Sequence, residues 1–124
     1  VHVVIDLTTG SYEVRTAGHP PAVQYLAGSG HWRPLPSSGG LLGVFDSDKY
    51  EAAPGHLGRG DALLLFTDGL VEGPGRDFDV GIDKLMGEAE RLVARGFEHG
   101  ARTLVDRVPA SDADDRALVL LWRG

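Results

Sequence analysis

The sequence predicts an α+β fold, and three patterns predict it. Short alternating or apolar segments with turn residues between them fill the first half of the chain. Two stretches of helical spacing follow, 82–95 and 97–108. One apolar run, Ala117–Trp122, closes the order. Strands grouped ahead of helices indicate segregated layers rather than alternating βαβ units.

The elements follow in chain order. Val1–Asp6 and Ser11–Thr16 read as a hairpin joined by the turn Leu7-Thr8-Thr9-Gly10. Tyr12, Val14 and Thr16 alternate with Glu13 and Arg15, which gives this strand one wet face. Ala17-Gly18-His19-Pro20-Pro21 is a stiff loop, and Pro20 pushes His19 out of the helical region into a directed, extended pose. His19 then serves either as a phosphate or metal-water contact, or as a hydrogen-bond donor to a neighbouring backbone group. Ala22–Leu26 is a third strand. His31–Leu35 is a fourth, with Trp32 inward. Leu41–Phe45 is a short apolar segment. Tyr50–Ala53 resumes a strand, and Pro54-Gly55 turns it. Asp61 caps a turn through its side chain.

Asp61–Glu72, DALLLFTDGLVE, is the centre of the chain. The apolar run Ala62–Phe66 between a polar start and a glycine stop predicts a strand buried on both faces. Asp68 stands at its exit, where the sheet holds a carboxylate rigidly. Gly69 allows a sharp turn and a close ligand approach. A plain Asp-Gly turn is the alternative. A second acidic cluster, Ser111-Asp112-Ala113-Asp114-Asp115, precedes the last apolar run. If the two strands are antiparallel neighbours, Asp68 converges with Asp114 or Asp115. Converging carboxylates repel and call for a cation, and oxygen donors favour Mg²⁺, Mn²⁺ or Ca²⁺. The other reading of Asp112–Asp115 is a solvated acidic turn.

Gly73–Asp79 reads as a loop in which Arg76 is placed to meet a phosphate. Ile82–Arg95 is an amphipathic helix stopped by Gly96. Phe97–Val108 is a second helix, weakened by Gly100 and ended by Pro109.

Composition narrows the function classes. A chain of 124 residues fits one domain, and 42% hydrophobic residues suit a globular one. The net charge of -6 argues against nucleic acid or an anionic membrane as partner. Without cysteine, disulfides and thiolate metal sites are excluded, and a cytoplasmic location is the simplest expectation. No stretch reaches the roughly 18 apolar residues of a membrane helix. The chain starts inside a strand and without Met, which reads as a piece cut from a longer protein.

Four stretches carry a family resemblance. Phe66-Thr67-Asp68-Gly69-Leu70-Val71-Glu72 resembles the TDG(V/L)xE motif of the SpoIIE/RsbU group of bacterial PP2C-like, metal-dependent serine/threonine protein phosphatases. Ala17-Gly18-His19-Pro20-Pro21-Ala22, Gly40-Leu41-Leu42-Gly43-Val44 and Asp114-Asp115-Arg116-Ala117-Leu118-Val119 fit the same group in the same order. The resemblance implies an α-β-β-α sandwich of antiparallel sheets, of which residues 1–124 supply the C-terminal part of a single domain. An earlier Asp-Gly metal motif and an Asp-x-x-Gly-x-Gly segment belong to the family pattern, and neither is found here.

The resemblance also implies the chemistry. Two Mn²⁺ or Mg²⁺ ions sit in the complete domain, and a metal-activated water rather than a side chain attacks the phosphoserine or phosphothreonine phosphorus. Asp68 and Asp114 match metal ligands, with Gly69 and Asp115 in support. The family's substrates are phosphorylated anti-anti-sigma-type regulators in stress-response and sigma-factor control, often with sensor domains attached. The alternative is a non-catalytic phosphatase-like module that binds a partner protein. A Ca²⁺-binding structural domain is disfavoured because no EF-hand spacing occurs.

Overall fold

The computed structural model describes residues 1–37, 40–44, 49–73, 75, 77–108 and 115–124. Its strands are β1 (His2–Ile5), β2 (Ser11–Arg15), β3 (Val23–Leu26), β4 (His31–Pro34), β5 (Ala53–His56), β6 (Ala62–Phe66) and β7 (Leu118–Trp122). The helices are α1 (Phe78–Val93) and α2 (Gly100–Arg107). The strands form two sheets, ordered β1-β2-β5 and β4-β3-β6-β7. Two compact units divide the chain, 1–63 with 122–124, and 64–121.

In the first unit β1 and β2 make the expected hairpin, with Val3 opposite Val14. Asp6 closes its turn: Oδ1 accepts from the backbone N–H of Thr8 (2.8 Å) and Thr9 (3.1 Å). Those two donors favour the charged form and hold the Asp6 carboxyl below its ordinary pKa. Tyr12, Val14 and Thr16 are buried while Glu13 is exposed, so the alternation sorts the two faces as expected.

Two segments differ from the sequence expectation. Pro54-Gly55 lies within β5 instead of turning it, opposite Glu13 and Tyr12 of β2. β5 is an edge strand, where a missing proline N–H breaks no ladder. A side chain at position 55 would overlap the Tyr12 ring, so the glycine is what lets that ring lie against the strand. Leu41–Val44 forms an exposed turn with Gly43 at φ +78°, while Phe45 lies outside the described residues. Leu41 packs over Gly18, itself at φ +56°, where a side chain would collide with it.

A polar network crosses the buried centre of this unit. Gln24, fully buried, accepts from Tyr12 Oη at 2.7 Å and donates through Nε2 to His56 O at 2.8 Å. Asp61 caps its turn as expected, accepting from Gly58 N–H (2.9 Å), and also binds Ala27 N–H (2.9 Å). Arg123 donates to the carbonyls of Thr8, Thr9 and Leu57. Near the C-terminus, one guanidinium thereby ties down the hairpin turn and the segment leading to β6.

In the second unit the distal part of β6 runs on to Leu70 and Val71, which are buried, as are Leu85, Ala89, Leu92 and Leu104 of the helices. The first helix starts four residues earlier than its apolar spacing suggests. Asp77 is its N-cap, accepting from Asp79 N–H. Gly81 sits in its first turn, where a glycine ordinarily counts against a helix. Here packing requires it: a side chain would overlap the Val71 backbone. The helix ends at Val93, two residues short of the expected Arg95, and Gly96 at φ +85° follows it. The second helix starts later than expected, because His99 adopts φ 59° and breaks the helical path. Gly100 then occupies its first turn, and the side chains of Leu92 and Leu120 fill the space of its missing Cβ. β7 is an edge strand with Val119 and Trp122 about half exposed, less buried than its apolar sequence suggests.

The Tyr12–Gln24 bond makes a stability prediction. Replacing Tyr12 with Phe leaves buried Gln24 Oε1 without its donor and should cost about 1–3 kcal/mol in urea denaturation. Burial also raises the Tyr12 pKa above its ordinary value. A raised folded-state pKa gives stability that is complete below the unfolded value, near 10, and is lost as pH rises beyond it. Tyr12→Phe should therefore be less stable than the parent at neutral pH but lose less stability between neutral pH and the alkaline range.

Candidate functional site

β6 is built to hold its C-terminal end still. Ala62, Leu63 and Leu64 are fully buried and Phe66 nearly so, which fixes the strand by burial on both faces. The next residue, Thr67, makes a two-way clasp to the start of β7. Its N–H donates to Ala117 O at 3.0 Å, and its Oγ1 accepts from Ala117 N–H at 2.9 Å. The hydroxyl also lies 3.3 Å from Asp115 O. A side-chain oxygen here takes the place of a backbone carbonyl in the ladder, just where the strand stops.

Asp68 follows and opens a 3₁₀ turn, Asp68–Leu70. Its carbonyl accepts from Val71 and Glu72 N–H, both at 2.8 Å. Its exposed side chain folds back so that Oδ1 accepts from Gly69 N–H at 2.9 Å. Gly69 is buried inside this turn and acts as a donor to the carboxylate. Among the described residues, Oδ2 accepts no hydrogen bond, which leaves it for water or a cation.

Across the clasp stand Asp115 and Arg116. Asp115 is exposed and contributes its carbonyl to Thr67. Arg116 reaches the other way, with Nη1 donating to Val105 O (3.3 Å) and Val108 O (3.2 Å) at the end of the second helix. The start of β7 is thus pinned on both sides, by Thr67 and by the helix C-terminus. Cations suit that helix end, where carbonyls lack intrahelical partners.

The predicted residues divide accordingly. Asp68, Gly69 and the Asp115 backbone lie at the joined strand ends. Asp114 and Arg76 lie outside the described residues. His19 lies in the first unit, and its Nδ1 is 2.9 Å from Pro20 O. A carbonyl can only accept, so Nδ1 carries the proton and Nε2 is the lone-pair nitrogen of the neutral ring. Among the described residues no group of three or more acidic or histidine side chains is placed to hold a metal.

Thr67 and Arg116 were not singled out by sequence. Neither is a usual metal ligand, and their roles are made by backbone partners 48 or more positions away for Thr67 and 8 to 11 away for Arg116. The one available signal was position: each flanks an acidic residue at a strand end.

Thr67→Val keeps the shape but removes the acceptor for the exposed Ala117 N–H, and should cost about 0.5–1.5 kcal/mol. Amide exchange at Ala117 should speed up while the Leu63 and Leu64 amides exchange only by global unfolding. Unchanged Ala117 protection would refute the clasp.

The chain has clear relatives. A family model described as Stage II sporulation protein E (SpoIIE) matches residues 1–123. Phosphoserine phosphatase RsbU of Bacillus subtilis (strain 168) is 33% identical over 57 residues, 46% of this chain and 17% of that protein. Among solved structures, the RsbU and RsbW domains of Rv1364c from Mycobacterium tuberculosis match with a TM-score of 0.73 at 28% identity, covering 94% of this chain and 33% of that one. The phosphatase domain of the cell fate determinant SpoIIE from Bacillus subtilis matches with a TM-score of 0.72 at 21% identity, over 98% of this chain and 54% of that one. This chain therefore spans from about a sixth to about half of the length of these relatives. Its two antiparallel sheets and paired helices share the PP2C-like phosphatase fold, and the chain belongs to the Stage II sporulation protein E (SpoIIE) family.

Proposed function

We propose that this chain is the C-terminal part of a single metal-dependent serine/threonine protein phosphatase domain whose remaining metal-binding segment lies upstream. The observation that supports it best is Asp68, placed at the clasped ends of β6 and β7 with one carboxylate oxygen fixed by Gly69 and the other open. All-oxygen donors fit a hard divalent cation better than zinc or copper. In this reading Asp68 and Asp114 hold Mn²⁺ or Mg²⁺. Asp115 supports the ligands, and the clasp keeps Asp68 from swinging away as cations draw near. Such ions, when bound, supply an activated water and neutralise phosphoryl oxygens.

The substrate is a phosphorylated serine or threonine on a regulator of the anti-anti-sigma type, in a cytoplasmic pathway of sigma-factor and stress control. Support comes from the name phosphoserine phosphatase borne by one relative and from the RsbU and RsbW domains in another. Sensor domains would stand elsewhere in the same protein. Among the described residues no helix is long and apolar enough to cross a membrane. His19 and Arg76 are the residues we assign to phosphate contact, His19 through an Nε2 that donates only when the ring carries a proton on both nitrogens.

The test is hydrolysis of a phosphoserine peptide by the full-length protein with Mn²⁺ or with EDTA. Turnover should require Mn²⁺. Asp68→Asn should lower kcat/KM by about 100-fold or more, because a fixed ligand is lost where charge develops. If Asp68→Asn turns over like the parent, the metal role fails. If the full-length protein shows no turnover but binds a partner protein, the chain is a non-catalytic module instead.

A further inference from the structure

The first helix contains two glycines, and only one is explained by packing. Gly81 is pressed against the Val71 backbone, whereas nothing lies within 4 Å of the side chain that Gly87 lacks. A mid-helix glycine costs about 1 kcal/mol relative to alanine. The missing side chain leaves space. Exposed Gly87 lines an open groove of about 300 Å³ beside α1 and the end of α2, together with Lys84, Glu88, Arg91, Arg107 and Val108.

The walls are basic in a chain of net charge -6. Three cations face one carboxylate, and Glu88 is bonded to both arginines, to Arg91 through Oε1 and to Arg107 through Oε2. That carboxylate cancels one charge and orients two guanidinium groups, leaving each with further donors. The groove continues past Arg91 and Arg107 to Arg95. Lys84, Gly87, Glu88 and Arg91 recur at helical spacing, so they share one face of α1, and Arg95 follows in the turn beyond its end.

We propose that this groove binds a carboxylate-rich peptide segment of a partner protein. Length selects a peptide over a single small anion. From Lys84 to Arg91 the helix advances by about 10 Å, and the groove runs on to Arg95 in the turn beyond it. The helical part alone spans about three residues of extended chain. Charge selects an acidic sequence, since an unpaired basic peptide would meet net repulsion. None of these residues is a candidate metal ligand, so the groove stands independently of the proposed phosphatase chemistry.

Binding of labelled hexaglutamate and hexaglutamine to the full chain tests this by fluorescence anisotropy, with inorganic phosphate as competitor. Hexaglutamate should bind, more weakly as salt rises, and hexaglutamine should not. Lys84→Gln removes an exposed charge and should weaken binding about two- to fivefold. Gly87→Gln places a side chain into the groove with a better helix former and should weaken binding about tenfold or more without unfolding the chain. Binding that both variants leave unchanged would place the attraction elsewhere and overturn the proposal. So would phosphate binding without peptide binding, which would make the groove a small-anion site.

Discussion

The placement of the acidic residues depends on a hydroxyl. Thr67 Oγ1 accepts from Ala117 N–H where β6 has run out of ladder, and the neighbouring backbone bond completes a pair. Two forces of different kind meet there. Burial of side chains such as Leu63 and Leu64, about 1.5–3 kcal/mol each, decides that β6 lies in the core. That term has no direction and leaves the path of the chain beyond the last buried residue open. The clasp contributes only about 1 kcal/mol per bond, but it is directional. It sets which residue of the β7 approach stands across from Asp68, and a slip by one would turn each side chain to the opposite face. In this molecule the large term builds the strand and the small one aims its end.

The same division explains which polar groups are buried. Gln24 is buried because its amide has partners on both sides, Tyr12 Oη and His56 O. Asp61 is buried because two backbone N–H groups meet its carboxylate. Desolvation of such groups is tolerable only with those partners in place. Both residues therefore fix how β2, β3 and the lead-in to β6 fit together, while apolar packing alone would accept several arrangements.

Much of this was legible in the sequence, and the limits have physical causes. The hairpin, the sorted faces of β2 and the buried run of β6 follow from local period and turn chemistry, which need no distant partner. The family motifs were legible for the same reason: TDG(V/L)xE is contiguous. The expectations that failed depended on partners far along the chain. Pro54-Gly55 reads as a turn until β2 is laid beside it, where Gly55 makes room for Tyr12. Gly100 reads as a helix weakener until Leu92 and Leu120 occupy the missing side-chain space. Thr67 and Arg116 carry no chemistry of their own and gain meaning only from the carbonyls and amides they meet. Asp114 and Arg76, legible as motif positions, lie outside the described residues.

The metal site and the helix groove, as proposed, impose different electrostatic demands on the second unit. Asp68 with the acidic stretch before β7 repels a phosphorylated substrate until cations arrive. A bound divalent ion is the largest local charge and reverses that sign. The groove of the helices needs no cation, since its own arginines supply the field. At physiological ionic strength exposed charges more than about 8 Å apart are largely screened from one another. A phosphoprotein with an acidic flank would then be held by two separate means, one dependent on metal and one not. That separation allows partner recognition to persist when the metal is absent, and its basis is where the charges sit rather than their total.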